Sequence, residues 1–313
     1  MRIPAAWLAA LALALAVAAC GQGGSEEVAP PPLDTPAARL PPSKSSHAVV
    51  IVMENKEYDD VIDAHDAPYL SGLARRYAAP QSLYGVRHPS LPNYLALIGG
   101  DTFGIGDDCT DCSVDGMTLP DQLERAGRTW RAYMQGLPHA CFKGAEHGRY
   151  AKKHDPFMYF KSIRNSTRRC GRVTPYTQLG RDLRDGELPD FAFVSPDLCA
   201  DTHDCSVRTG DRFLASLVPA LLRELGPHGF LVVTYDEGKS NRGCCGVAKG
   251  GRIATVVAGP DVRRGATGKG DYSTYSLLRT VEDFFGLPPL GHAAGARPLD
   301  ALFEHPPRAE RRG

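Results

Sequence analysis

Four stretches of this chain are too apolar, and mostly too rich in β-branched and aromatic residues, to sit comfortably anywhere but inside a sheet covered on both faces. They are 47–53 (His-Ala-Val-Val-Ile-Val-Met), 191–195 (Phe-Ala-Phe-Val-Ser), 230–235 (Phe-Leu-Val-Val-Thr-Tyr) and 253–258 (Ile-Ala-Thr-Val-Val-Ala). Helical patterns lie between and around them, at 67–77, 119–126, 177–184, 210–225 and 276–285. Strands alternating with helices predict a single α/β domain with a mostly parallel central sheet and helices on both faces. The stretch 102–172, rich in Gly, Cys, His and aromatic residues, reads as an irregular insertion packed over one edge. The 33 glycines and 25 prolines fit such a loop-rich fold better than a helical bundle.

The flanks carry a different message. One arginine precedes an unbroken apolar run from Ala5 to Ala19, the pattern of a secretory signal and too short for a comfortable membrane span. Leu15-Ala-Val-Ala-Ala-Cys20 is similar to a bacterial lipobox, so Cys20 is expected to become the lipidated first residue of an exported, membrane-anchored lipoprotein; a plain cleavable signal is the alternative. Residues 21–46 turn to Gly, Ser, Glu and Pro and read as a tether. The expected divisions are 1–19 signal, 20–46 lipidated Cys and linker, 47–305 domain and 306–313 a frayed tail. Eight cysteines remain after Cys20, an even number that suggests disulfides in an exported chain. Cys109–Cys112, Cys141–Cys170 and Cys199–Cys205 are plausible local closures, while the adjacent Cys244 and Cys245 are hard to place. A zinc site at Cys109-Thr-Asp-Cys112 lacks a second ligand pair. Lys plus Arg and Asp plus Glu are 36 each, so the chain has no basic excess with which to grip nucleic acid.

In open parallel sheets ligands gather beyond the carboxyl ends of the strands, so the residues just past each apolar run matter most. The first run leads into Glu54-Asn55, the run at 230–235 into Asp236-Glu237, and the run at 191–195 into Asp197, Asp201, His203 and Asp204. Carboxylates brought to one rim would repel one another in a partly dry cleft, and a divalent cation removes that difficulty. The competing account is that each pair caps a helix or faces solvent.

A second constellation is His88-Pro-Ser90-Leu-Pro-Asn93-Tyr94, ahead of the apolar 95–98. Ser90 stands where a helix should begin, so free backbone N–H groups and the positive end of the helix dipole suit a phosphoryl group there. Ser90 is then either a plain helix cap or, beside a metal, a nucleophile.

Glu54-Asn-Lys-Glu-Tyr58, His88-Pro-Ser-Leu-Pro-Asn-Tyr94, Thr234-Tyr-Asp-Glu-Gly238 and Tyr275-Ser-Leu-Leu-Arg-Thr-Val-Glu-Asp-Phe-Phe-Gly286 together resemble, in order over residues 47–290, the phosphoesterase family of acid phosphatases and bacterial phospholipases C. The resemblance implies an alkaline-phosphatase-like fold, a metal held by Glu54, Asn55, Asp236 and Glu237, and Ser90 as nucleophile and further ligand. It also implies that His203, within Asp201-Thr-His-Asp204, binds phosphate or protonates the leaving group. His88 is a second candidate general acid, and Asn55 and Asn93 candidate donors to the transferring phosphoryl group. Where the family often has His before Tyr-Ser-Leu-Leu-Arg-Thr, this chain has Thr274; His292 or another histidine is the alternative source of an imidazole.

The expected reaction is hydrolysis of a small phosphate monoester or a phospholipid through a phosphoserine on Ser90. A phospholipase C or other phosphodiesterase is the alternative, and a lipoprotein that binds phosphorylated ligands without turnover a second. An oxygen-only ligand set favours Mg, Mn or Ca over Zn. A monomer touching the membrane only through its lipid is expected. No G-x-S-x-G elbow for an acyl hydrolase and no Cys-x-Pro-x-Arg sulfatase segment occurs.

Overall fold

The computed structural model describes Met1 and residues 45–310; the expected signal, the Cys20 lipidation site and nearly all of the tether lie outside the described residues. Strands β1 (Ala48–Met53), β2 (Trp130–Met134), β3 (Val173–Pro175), β4 (Phe191–Ser195), β5 (Phe230–Tyr235) and β6 (Thr255–Ala258) form one sheet in the order β3-β2-β4-β1-β5-β6. All neighbours are parallel except β5 and β6. The expected mostly parallel α/β sheet is what forms, with an antiparallel strand at one edge.

The central register places the functional residues. Met53 pairs with Tyr235 and Ile51 with Val194, so β1, β4 and β5 end on one rim with Glu54 and Asp236 next to each other. Every residue of these three strands is buried. Helices α1 (Pro68–Arg76), α2 (Ser90–Gly99), α3 (Leu119–Arg125), α4 (Thr177–Asp185), α5 (Val207–Glu224) and α6 (Thr274–Phe285) pack around the sheet. Among them α1 packs on α5, and α2 on α6. All ten residues of α2 are buried, and its end is set by Gly100 in the left-handed conformation at φ 74°.

Two expectations need correction. The stretch 102–172 is not simply an irregular cover over one edge: Trp130–Met134 is an interior strand between β3 and β4. Arg131 interrupts its apolar run but leaves the core, where its guanidinium meets Asp182, also the acceptor for Tyr133. Nor is the C-terminal segment loose up to Glu310. Ala309 N–H donates to Phe284 O at 2.8 Å, and Glu310 accepts from Ser46 N–H and Oγ at 3.1 and 2.6 Å. That same Ser46 is wholly buried, so the ordered domain starts before residue 47.

Four disulfides close the outer loops: Cys109–Cys112, Cys141–Cys170, Cys199–Cys205 and the adjacent pair Cys244–Cys245. The first three are the expected closures.

Candidate active site

The first turn of α2 and the ends of β1 and β5 meet at one carboxylate. Ser90 Oγ donates to Glu54 Oε2 at 3.0 Å and lies 3.5 Å from Glu237 Oε1. One helical turn on, Tyr94 O–H donates to Glu54 Oε1 in a very short contact. Residues i and i+4 share a helix face, so Ser90 and Tyr94 hold the two oxygens of one carboxylate. Glu54, Ser90, Tyr94 and Asp236 are each at most 3% exposed.

The loop after β1 is bent to fit. Asn55 adopts φ 55°, a left-handed conformation that Asn tolerates better than most residues, and its N–H donates to Asp236 Oδ1 at 3.1 Å. Opposite, Gly85 passes so close to β5's continuation that a Cβ there would stand 2.7 Å from Asp236 O, a contact only glycine permits. Thr202, at φ 80°, donates its Oγ1 hydrogen to Glu54 O at 2.9 Å. A β-branched residue in that conformation marks strain held at a functional turn.

Two imidazoles adjoin this carboxylate cluster. His154, from the short helical turn Lys152–His154, places Nε2 3.3 Å from Glu54 Oε2 and Nδ1 3.3 Å from Asp201 Oδ2, and its ring stacks on Tyr94 at 5.3 Å. His203 Nδ1 meets Asp204 Oδ1 at 2.7 Å, and its Nε2 faces Lys153 Nζ at 3.2 Å. The carboxylate fixes the tautomer with hydrogen on Nδ1, leaving Nε2 as acceptor. Lys153 Nζ also reaches Asp108 Oδ2 at 3.1 Å.

Electrostatics follow from this crowding. Burial, then the negative charges of Asp236 and Asp201, pushes Glu54 well above the ordinary carboxyl range. Burial likewise raises Asp201 strongly and takes Asp236 to about 6. Glu237 is raised to about 7 by burial and then Asp236, against the opposing pull of His88. Burial, then Lys153 and His203, drives His154 well below the usual imidazole range and keeps it neutral, in the form that ligates metals.

These residues fit a divalent cation. Asn55 Oδ1, Asp236 Oδ2, Asp201 Oδ2 and His154 Nε2 are all buried without a hydrogen-bond partner, although such orphans are costly. Single ligand atoms of Glu54, His154 and His203 lie within 4.8 Å of one another. The donor set on the rim is therefore not oxygen alone, and the oxygen-only ground for preferring Mg, Mn or Ca over Zn falls away: the imidazoles suit Zn or Fe, the carboxylates Mg, Mn or Ca.

The sequence-derived candidates sort clearly. Glu54, Asn55, Ser90, Asp236, Glu237, Asp201 and His203 converge. Asp204 is exposed and reaches the site only through His203. The Asn93 amide is taken up by backbone, accepting from Val86 N–H at 2.7 Å and donating to Arg87 O at 2.7 Å, so it holds the turn before Ser90 and offers nothing to a ligand. His88 bonds Glu237 Oε2 through Nδ1 and Ser240 O through Nε2 at 3.0 Å. With both nitrogens engaged it positions Glu237 instead of presenting a proton to a leaving group. The helix N-terminus is also less open than expected, since Leu91 N–H donates to Asp108 Oδ1 at 2.9 Å. Thr274 Oγ1 is buried without a partner, and His292 packs instead against Tyr275, ring centroids 5.0 Å apart and planes tilted by 48°.

His154, Lys153, Asp108 and Tyr94 were not singled out from the sequence. Tyr94 carried a usable signal, four residues after Ser90 on a helix. His154 carried none beyond its residue type.

Comparisons with known proteins bear on the family and the fold. The model of the phosphoesterase family matches residues 61–288. The chain is 32% identical over 264 residues to a phosphatidylinositol-3-phosphatase of Mycobacterium tuberculosis, covering 82% of this chain and 83% of that one. It is 28% identical to an acid phosphatase of Aspergillus fumigatus, covering 76% of this chain but only 54% of the relative's length. A protein of the alkaline phosphatase superfamily from Vibrio parahaemolyticus shares the fold with TM-score 0.53 at 14% identity, over 86% of this chain and 75% of that one.

Proposed function

This chain belongs to the phosphoesterase family and is a phosphoric ester hydrolase, and we propose that it is a metal-dependent, acid-phosphatase-like phosphomonoesterase with Ser90 as nucleophile. The observation that carries the reading is Ser90 Oγ, 3.0 Å from Glu54 Oε2 at a rim where Asn55, Asp201, Asp236 and His154 each keep a buried polar atom without a partner. Relatives named as acid phosphatases and as a phosphatidylinositol-3-phosphatase favour a monoester over a diester.

Glu54, Asn55, Ser90, Asp236 and Glu237 would hold the cation, with His154 and His203 as neighbouring nitrogen donors. A bound divalent ion would offset the carboxylate repulsion and polarise the oxygens about phosphorus. Ser90 Oγ attacks phosphorus, its proton passing toward Glu54 Oε2, the oxygen it already bonds. The ester P–O bond breaks as the Oγ–P bond forms, and water later hydrolyses the phosphoserine to release phosphate. Lys153, balanced between Asp108 and His203, supplies positive charge beside the developing anion. The leaving alkoxide would take its proton from Lys153 Nζ by way of His203, whose Nδ1 is held by Asp204 and whose Nε2 lies 3.2 Å from that ammonium.

Ser90→Ala abolishes turnover of p-nitrophenyl phosphate while circular dichroism and melting temperature stay unchanged. Wild-type turnover in that variant would refute the nucleophile assignment. Rates on p-nitrophenyl phosphate, its bis ester and phosphatidylcholine separate the monoesterase from a diesterase or phospholipase C.

The four disulfides fit an oxidising compartment and so an exported protein. No helix among the described residues is long and apolar enough to cross a membrane. Anchoring through lipid on Cys20, a monomeric state and the absence of a nucleic-acid partner complete the proposal.

A further inference from the structure

Beside the Ser90 site lies an open cavity of about 460 Å³, and His88 belongs to the walls of both. Arg87, Lys249 and His292 line it together with Asn241 and Asp101. Neither the Arg87 guanidinium nor the Lys249 ammonium makes an ion pair or side-chain hydrogen bond among the described residues, unlike Lys153 deeper in the site. Both are anchored through their backbones. Arg87 N–H donates to Asn93 Oδ1 at 3.1 Å, and Lys249 N–H to Val86 O at 2.8 Å. The guanidinium lies so close to Gly106 that a Cβ there would stand 3.1 Å from Nη2. The one acid in the wall, Asp101, has Oδ1 committed to the N–H groups of Thr102 and Phe103 at 2.6 and 3.2 Å. The wall is thus net positive, with imidazoles at His88 and His292, whereas the neighbouring Ser90 site is dominated by carboxylates.

We infer that this cavity is a leaving-group subsite that selects phosphate monoesters whose alcohol carries a second phosphoryl group, read by Arg87 and Lys249. The inference rests on the phosphomonoesterase reading of the Ser90 site. One phosphoryl group is transferred at Ser90 while the other stays on the released alcohol, held by the two cations. Two solvent-exposed charge contacts together give between about twofold and about thirtyfold in affinity. Arginine and lysine serve different parts of that task, a planar fork for two phosphoryl oxygens and a mobile point charge.

The test uses α,ω-alkanediol bisphosphates of three to six carbons against the matched monophosphates, because the series spans the distance between the two groups without assuming it. The wild-type protein is expected to prefer the bisphosphate of at least one length by about tenfold in kcat/KM, mainly through KM, beyond the statistical factor of two. That preference shrinks as salt is raised and collapses in Arg87→Gln/Lys249→Gln. Lys249→Glu, a single change at an exposed position, also lowers the ratio and serves if the double variant is unstable. A ratio of two at every length, or a preference that survives both variants, overturns the subsite. Failure to hydrolyse even the monophosphates instead overturns the phosphomonoesterase reading, and the inference with it. A soluble phosphoinositol headgroup turned over as well as its vesicle-bound lipid supports recognition in the cavity; an absolute requirement for the vesicle overturns it.

Discussion

Tyr94→Phe isolates the hydrogen bond on which the geometry of Glu54 depends. The hydroxyl donates to Glu54 Oε1 from a ring that is 1% exposed, on the same helix face as Ser90. Its loss leaves the ring packed on His154 but strips a buried carboxylate oxygen of its donor. Hydrogen bonds to charged groups contribute roughly 1.5–3 kcal/mol, and each 1.36 kcal/mol is tenfold in rate. If the bond fixes the carboxylate that faces Ser90, kcat/KM on p-nitrophenyl phosphate falls about 10- to 150-fold. The divalent ion concentration giving half-maximal activity rises by about 10- to 100-fold, the usual result of removing an outer partner of a metal ligand. Steady-state kinetics across a metal titration, beside thermal melting, reads both. A variant within twofold of wild type in kcat/KM and metal requirement refutes the claim that Tyr94 orients Glu54. A lower melting temperature with unchanged metal requirement and kinetics reduces the bond to a structural one.

Glu282 is fully buried, with Oε1 accepting from Leu290 N–H at 2.7 Å and Oε2 unpartnered, and burial raises its carboxyl to about 8. The folded state binds this proton more tightly than the unfolded chain, so this group's contribution to stability is full in acid and falls by roughly 2–5 kcal/mol as pH rises from about 4.5 to about 8, in the same direction as those of Asp236 and Glu237. Glu282→Gln, which still accepts from Leu290, makes the pH slope of melting curves taken across the interval shallower by that amount, and an unchanged slope refutes the assignment. Cys141→Ser/Cys170→Ser opens a closure of sequence separation 29 between the end of β2 and the start of β3. It is expected to lower unfolding stability by about 3–4 kcal/mol in urea titrations, and a loss under about 1 kcal/mol contradicts this. Removing divalent ions with a chelator lowers the melting temperature, and adding back an ion at about 100 times its Kd restores about 2.7 kcal/mol. Melting indifferent to both treatments argues against a cation in the carboxylate cluster.

The central sheet was legible because its three inner strands around β1 are continuous apolar runs, and the acidic pairs just past β1 and β5 could be read as a rim. The strand at Trp130–Met134 was not, since Arg131 and a single alanine stand where a buried strand would carry branched residues. Its interior place depends on Asp182, almost fifty residues away, accepting from Arg131 and Tyr133. The site divided in the same way. Glu54, Asn55, Asp236 and Glu237 are tied to strand ends and Ser90 to a helix start, positions that local pattern fixes. His154 arrives from the stretch without periodicity, where nothing local indicates which of several histidines turns inward. Asn93 shows the reverse error: a polar residue beside the nucleophile looked available, yet its amide is bound to the backbone of the turn.

This division has a physical cause. Pairing Met53 with Tyr235 compels the next residues of both strands to stand side by side, whatever their charge, because two parallel strands in register end together. The sheet thus fixes the acidic half of the site in a buried place, and burial raises Glu54, Asp236 and Glu237 together, with repulsion from Asp236 adding to the rise at Glu54 and Glu237. The basic half, Lys153 with His154 and His203, comes from loops that the sheet does not position. One of those loops is both closed by a disulfide and turned at a left-handed residue: Cys199–Cys205 spans His203, and Thr202 immediately precedes it. The stiff part of the fold brings like charges together, and the loops bring the groups that counter them. Because only the first half follows from strand register, substitutions in the sheet should disturb the carboxylates as a set, whereas changes in the loops should move individual partners.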